Sequence, residues 1–304
     1  MIDLTQTPLV ETEWLAAHLT EPELRLIDSR CAGQGDCRQI YLRGHIPGAV
    51  HLCWHSDFGY TDERGVRYLL LPPERFAAVM AVAGIGDETR VVAYAETDYS
   101  GAARLWWALR YYGHQQVAVL NGSLTKWQAE QRPVTAETPR VNPATFTPKP
   151  QPQWLATTAE VEQALRQAGT QVCLVDTRPS EQYAGQAVWT PEGSLFLPPG
   201  QDWVEVEGRA MRGGHIPGAV SLPASGNLNP DNHFCYLNSQ ALSERAINAN
   251  IRPQQRVIAY CGAGIAASQS LFSLYVAGYR NLALYDASWE EWGTNPANPI
   301  ERGG

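Results

Sequence analysis

The chain has 304 residues, 44% of them hydrophobic and 18% charged, with a formal net charge of −8. That length suits one large domain or two of about 150 residues with a core that needs no covalent staples, and the composition excludes a disordered or membrane-spanning chain. An acidic balance without any Lys/Arg run excludes a general nucleic-acid binder, so an anionic substrate would need a local positive site.

In chain order, the N-terminal stretch MIDLTQTPLVETEWL has acidic residues early and neither a basic nor a continuous apolar leader, which places the protein in the cytoplasm, free of membrane. LIDSR at Leu26 to Arg30 ends an apolar strand, and RGHIPGAVHL at Arg43 to Leu52 follows with the Pro-Gly chemistry of a tight turn. RVVAYAETDYSGAARLWWALRYYG then reads as a buried strand, a loop and a helix. Prolines among polar residues mark an extended linker over residues 139–153, which divides the chain into domains at 1–138 and 154–304. The second half opens with TTAEVEQALRQAG, a helix with Thr157 and Glu160 spaced as a capping box and Val161, Ala164 and Leu165 on one face.

The elements of the first half then return in order. LVDTR at Leu174 to Arg178 repeats LIDSR, GGHIPGAVSL at Gly213 to Leu222 repeats the turn, and RVIAYCGAGIAASQSLFSLYVAGYRNLALYDASWEEW repeats Arg90 to Trp127. Three matched blocks in one order indicate a duplicated domain. Short apolar strands alternating with helices indicate an α/β fold: two tandem domains, each a mostly parallel sheet with helices on both faces. The second copy carries an insertion from Gln186 to Met211 that either covers the site, binds a partner or simply packs as a loop.

Sites in such sheets form beyond the carboxyl ends of strands, and Cys261 ends one. A thiol at this strand-to-helix corner faces turn N–H groups and the positive end of the helix, which favour a thiolate or a sulfur-bearing anion. Lowering a thiol pKa from about 8.5 to about 6.5 takes roughly 2.7 kcal/mol of preferential thiolate stabilisation. The aligned position in the first half is Ala95, so that copy has no nucleophile there. Cys31, Cys37, Cys53, Cys173 and Cys235 are scattered and expected to be free structural thiols. With no CxxC and no matching Cys/His pair, Cys31 and Cys37 predict no metal site.

The D-x-R strand ends, the GHIPGA turns, the cysteine loop and YDASWEEWG together resemble the tandem-domain rhodanese family of sulfurtransferases over nearly the whole chain. The resemblance implies that Cys261 takes a sulfane sulfur from a small donor, holds it as a persulfide and passes it to cyanide, a thiol or a protein thiol, without metal or organic cofactor. It makes Cys261, Gly262, Ala263, Gly264, Ile265 and Ala266 the sulfur cradle. The neutral loop resembles mercaptopyruvate-preferring members rather than the cationic thiosulfate-preferring ones, with Ala263 where their serine stands. Of the two donor-binding arginines those members carry, the first aligns with Gln182, and Arg209 or Arg212 occupies the second position. His45, with Asp36 upstream, is offered by the resemblance as a first-domain contribution to the site. Arg30 and Arg178 are expected to hold strand ends or to pair with a carboxylate such as Glu181.

Two other readings are weighed. A related phosphatase chemistry needs an arginine six positions after the nucleophile to clamp phosphate, and Ala267 stands there. A catalytically idle module that binds an anion or peptide is motivated by the departures at Ala263 and Gln182.

Overall fold

The buried runs Arg90–Tyr94 and Arg256–Tyr260 lie inside their respective sheets, flanked by partners on both edges. The computed structural model describes residues 3–31, 36–96, 99–166 and 171–303. In the first half, five parallel strands are ordered Leu9–Val10, Val117–Leu120, Arg90–Tyr94, Leu24–Asp28, Val50–His51. In the second, Leu155–Ala156, Leu282–Tyr285, Arg256–Tyr260, Val172–Asp176 and Val220–Ser221 take the same order, again all parallel. Helices flank each sheet, as the alternating pattern requires. No helix among the described residues is long and apolar enough to cross a membrane.

The chain divides into two compact units that are not contiguous in sequence. One comprises residues 1–60, 70–152 and 228–237; the other comprises 61–69, 153–227 and 238–304. Residues 61–69, from the first half of the sequence, therefore belong to the unit that holds Cys261. Most of the proline-rich stretch is pinned to the first unit rather than free. Ala144 N–H donates to Ala81 O at 3.0 Å, Lys149 N–H to Tyr112 O at 2.9 Å and Gln151 N–H to Tyr111 O at 2.7 Å, while Phe146 is buried against Phe76.

The capping box forms: Thr157 N–H donates to Glu160 Oε2 at 2.9 Å and Glu160 N–H to Thr157 Oγ1 at 3.2 Å, starting the helix Thr158–Arg166. The helix was expected to run on into residues 167–169, which lie outside the described residues. The D-x-R arginines fold back onto their own aspartates. Arg30 Nε lies 2.9 Å from both Asp28 carboxylate oxygens, and Arg178 Nε 3.0 Å from Asp176 Oδ1, each guanidinium also reaching the carbonyl of Gly44 or Gly214 at 2.6 Å. Both arginines therefore hold their strand ends, the first of the two expected roles, while Glu181, the carboxylate offered as an alternative partner, accepts from Ser194 Oγ at 2.8 Å.

The GHIPGA turns serve the same frame. The Ile46 and Ile216 N–H groups donate to the hydroxyls of Tyr94 and Tyr260 at 3.1 and 3.0 Å, tying each turn to the central strand. His45 stacks on Tyr41 with centroids 3.8 Å apart, and His215 on Tyr183 at 3.7 Å.

Candidate active site

Cys261 follows directly on the strand Arg256–Tyr260 and is 5% exposed. Gly264, at φ +78°, reverses the chain into the helix Ile265–Val276, a left-handed conformation that an L side chain adopts at a cost. The backbone amides of Ala267, Ala263, Gly264 and Ala266 all act on the sulfur and favour its thiolate, but burial outweighs them and pushes the thiol up. This runs against the expected net lowering: four oriented amides do not offset the burial of the resting thiol. Of the expected six-residue frame, Ala263, Gly264 and Ala266 direct amides at the sulfur, as does Ala267, which that frame left out. Gly262 has a steric role, since a Cβ there would lie 2.0 Å from Trp189 Nε1.

The loop is also held from its carbonyl side. Cys261 O accepts from Trp289 N–H at 3.0 Å and Gly262 O from Glu290 N–H at 2.8 Å, docking the helix Ser288–Trp292 on the loop. Cys261 N–H donates to Ser288 Oγ at 3.2 Å, and that hydroxyl donates to Tyr285 O at 2.8 Å. In the first half Ala95 N–H meets Ser123 Oγ at 2.8 Å in the same manner. Both serines adopt a positive φ, +52° and +53°. The matched position in two aligned blocks was the signal for this pair.

The insertion forms two antiparallel hairpins, Ala187–Thr190 with Gly193–Phe196 and Trp203–Val206 with Arg209–Arg212. Its Trp189 lies against Gly262, so the insertion covers the cysteine loop. Over the Trp189 ring, 5.4 Å from its centroid, sits the guanidinium of Arg67. Arg67 Nε donates to Glu290 Oε1 at 2.6 Å, and its Nη1 pairs with the exposed Glu207. Sequence reasoning missed Arg67 because it belongs to the other half of the sequence, and no spacing links it to the loop.

The predicted anion partners are otherwise engaged. Arg209 donates to Gly65 O and Glu290 Oε1 at 2.9 Å and to Thr294 Oγ1 at 3.0 Å, and lines a cavity of about 530 Å³ that does not include Cys261. Arg212 donates to Gly293 O at 2.9 Å, Asn298 O at 3.1 Å, Trp292 O at 3.2 Å and Asn295 O, which engages all three of its nitrogens. Gln182, where an arginine was sought, is buried and donates to Ser194 Oγ at 2.9 Å. His45 is fully buried, its ring nitrogens 2.9 Å from Tyr41 O and 3.1 Å from Glu137 O. Asp36 does not join it; its side chain accepts from Arg38 N–H and Gln39 N–H and caps the helix Cys37–Arg43. Ser268 bonds back to Ile265 O at 2.5 Å, inside its helix. Arg178 is fully buried over the Trp289 ring, close enough for its charge to couple to Cys261.

Of the other cysteines, Cys53, Cys173 and Cys235 are free and buried as expected, and Cys31 and Cys37 depart from expectation. Cys31 and Cys37 are joined by a disulfide, their Cα atoms 4.5 Å apart, rather than free. Cys53 Sγ lies 2.9 Å from Cys37 Sγ and 3.8 Å from Cys31 Sγ, and His55 Nε2 lies 3.3 Å from Cys37 Sγ. The sequence reading found no Cys/His partner for Cys31 and Cys37; in the structure Cys53 and His55 lie beside them. Cys173 is buried and pushed up to about 11 by desolvation, in keeping with a structural thiol.

The rhodanese-like domain family matches this chain twice, over residues 11–130 and 157–295. The chain belongs to the rhodanese family. Among its rhodanese relatives, the sulfur carrier protein TtuD of Thermus thermophilus is 30% identical over 97% of this chain and 96% of its own length. The probable 3-mercaptopyruvate sulfurtransferase of Pseudomonas aeruginosa is 30% identical over 99% and 100%. The thiosulfate sulfurtransferase of Corynebacterium glutamicum is 31% identical over 97% and 90%. The crystal structure of SseA from Escherichia coli, a 3-mercaptopyruvate sulfotransferase, superposes with a TM-score of 0.77 at 25% identity, covering 93% of this chain and 98% of that one. Wild-type EanB, at 21% identity and a TM-score of 0.78 over 100% of this chain and 71% of its own, shares the fold.

Proposed function

We propose that this rhodanese is a sulfurtransferase that carries sulfane sulfur as a Cys261 persulfide, and that 3-mercaptopyruvate suits its site better than thiosulfate. The observation that supports this reading is the neutral cradle: four amides face a buried sulfur, and no Lys or Arg lies between Cys261 and Phe272. A persulfide anion replaces the thiol with a larger, more polarisable charge that those amides solvate. Cys261 attacks the donor's sulfur, the donor's bond to that sulfur breaks, and an acceptor thiolate or cyanide then attacks the outer sulfur of the persulfide.

The protonated resting thiol bears on the donor. With mercaptopyruvate the C–S bond breaks toward a pyruvate enolate, a base strong enough to end with the proton the thiol must lose. With thiosulfate the S–S bond breaks toward sulfite, a weaker base, and the donor is a dianion that the loop meets with no cation. Arg67 is the group we assign to the donor's anionic end, in place of Arg209 and Arg212, since only the exposed Glu207 must yield its Nη1. We take residues 1–138 as a non-catalytic scaffold, except for 61–69, which carries Arg67 and belongs to the unit that holds Cys261, with 139–153 as the connector and 154–304 as the catalytic domain. Thiol acceptors and reductants are abundant in the cytoplasm, where this reading places the protein.

A second reading has one observation in its favour. The upward push on Cys261 is what an idle anion- or peptide-binding module would show. Steady-state kcat/KM for both donors in the wild type, Ala263→Ser and Arg67→Ala separates the two. The enzyme reading expects turnover favouring mercaptopyruvate, a gain in Ala263→Ser with that donor, and a rise in KM of about tenfold in Arg67→Ala, the loss of one charged hydrogen bond. No turnover with either donor supports the binding module, and a strong preference for thiosulfate overturns the donor assignment.

A further inference from the structure

We propose that Cys31, Cys37, Cys53 and His55 form a zinc site in the first unit, separate from the sulfur-transfer loop. Their donor atoms, three Sγ and one imidazole nitrogen, all lie within 4.8 Å of one another. In a tetrahedral zinc site with bonds of about 2.3 Å to sulfur and 2.0–2.1 Å to nitrogen, neighbouring donors are roughly 3.5–3.8 Å apart. Cys53 to Cys31 at 3.8 Å and Cys37 to His55 at 3.3 Å are already at or near that spacing. The bonded Cys31–Cys37 edge and the Cys37–Cys53 edge at 2.9 Å need to open. Three thiolates and a neutral imidazole are a closed structural set for zinc, and soft sulfur donors select it over magnesium or calcium.

Three elements deliver these donors. Cys31 follows the strand Leu24–Asp28 by three residues, Cys37 opens the helix Cys37–Arg43, and Cys53 with His55 lies just after the strand Val50–His51. The last turn is itself fixed: Cys53 N–H donates to Asp57 Oδ2 at 2.7 Å and Asp57 N–H to Cys53 O at 2.9 Å. A cavity of about 880 Å³ lined by Cys37, Cys53 and His55 gives an ion its route in. A disulfide accounts for two of the four donors. It leaves unexplained why a third sulfur and an imidazole converge on the same point.

The disulfide and the zinc site are two states of the same sulfurs. A dithiol reductant supplies two electrons and two protons to open the Cys31–Cys37 bond and is itself oxidised to a disulfide. Zinc then binds three thiolates and the neutral His55, releasing three thiol protons.

The test uses the full chain reduced with excess dithiothreitol, reconstituted with zinc and desalted, with metal measured by inductively coupled plasma mass spectrometry. The wild type and Cys261→Ser are each expected to hold about one zinc per chain, with Cys53→Ser and His55→Ala below roughly a tenth of that. Cobalt substituted into the wild type is expected to give thiolate-to-cobalt charge-transfer bands and tetrahedral d–d bands, and His55→Cys is expected to keep the metal with those bands shifted. Zinc is also expected to raise the wild type's Tm. A reduced wild type that retains no zinc and shows no tetrahedral cobalt spectrum overturns the proposal. So does zinc held equally by Cys53→Ser and His55→Ala.

Discussion

The two halves build the same five-stranded sheet, the same aspartate-arginine strand end and the same serine bridge, and then put different chemistry at different corners. The second places Cys261 where the central strand meets its helix; the first has Ala95 there, with Glu96 beside it. Cys31, Cys53 and His55 of the first half align with Pro179, Pro223 and Ser225 of the second. A duplicated scaffold is therefore a frame whose corners change independently. The shared interactions, Tyr94 and Tyr260 to the Ile N–H groups and Ser123 and Ser288 to the strand ends, concern the frame. The unshared residues concern sulfur.

The largest effect is expected from moving the nucleophile across this comparison. Cys261→Ala should abolish sulfur transfer, and adding Ala95→Cys should not restore it, because Glu96 opposes a second negative charge at that corner. Recovery of turnover in the double variant, read by cyanide-dependent thiocyanate formation, would show that position alone makes the site. Next comes the roof over the cradle. Gly262→Ala sets a methyl group against Trp189 and is expected to cost about 1–3 kcal/mol in denaturant unfolding, along with most of the transfer activity. Trp189→Ala in the same chain should return much of both, and no return would locate the effect in the loop backbone instead.

The proton state of Cys261 gives a third, smaller test. Burial raises this thiol, so in the folded chain it stays protonated at neutral pH and its thiolate forms only above the usual thiol pKa of about 8.5. Alkylation by iodoacetamide should be slower than for free cysteine at pH 7 and climb steeply above pH 8.5. Fast labelling at pH 7 would mean that the amides, not desolvation, set the resting state. The smallest effect belongs to the first half. Asp36→Ala removes a helix cap worth about 1 kcal/mol and should leave kcat/KM for either donor unchanged; a loss of kcat/KM without loss of stability would return Asp36 and His45 to the site.

Much of this frame was legible in the sequence because repeated blocks carry their own alignment, and apolar strands alternating with amphipathic helices allow few architectures. Cys261 and its glycine-bearing loop were legible for the same reason, as a local motif at a strand end. The rest depended on long-range contacts that spacing does not encode. Arg67 reaches the Trp189 roof from the other half of the sequence, while Arg209 and Arg212, which the resemblance offered for the donor, are taken up by carbonyls and Glu290. His45 was offered by the resemblance alone, and in the structure stacking on Tyr41 and two carbonyl contacts engage both its ring face and its ring nitrogens. The direction of the Cys261 shift was missed because a sequence shows the amides that favour a thiolate but not the depth of burial that opposes it.

The central claim is that one sulfur, Cys261, carries the transferred atom. Intact-mass measurement after incubation with mercaptopyruvate and then with thiosulfate, followed by peptide mapping of an alkylated digest, tests it most directly. One added sulfur is expected, on the peptide containing Cys261, removed by cyanide and lost in Cys261→Ser. No added sulfur with either donor, or a sulfur mapped to Cys31, Cys37 or Cys53, would contradict the account.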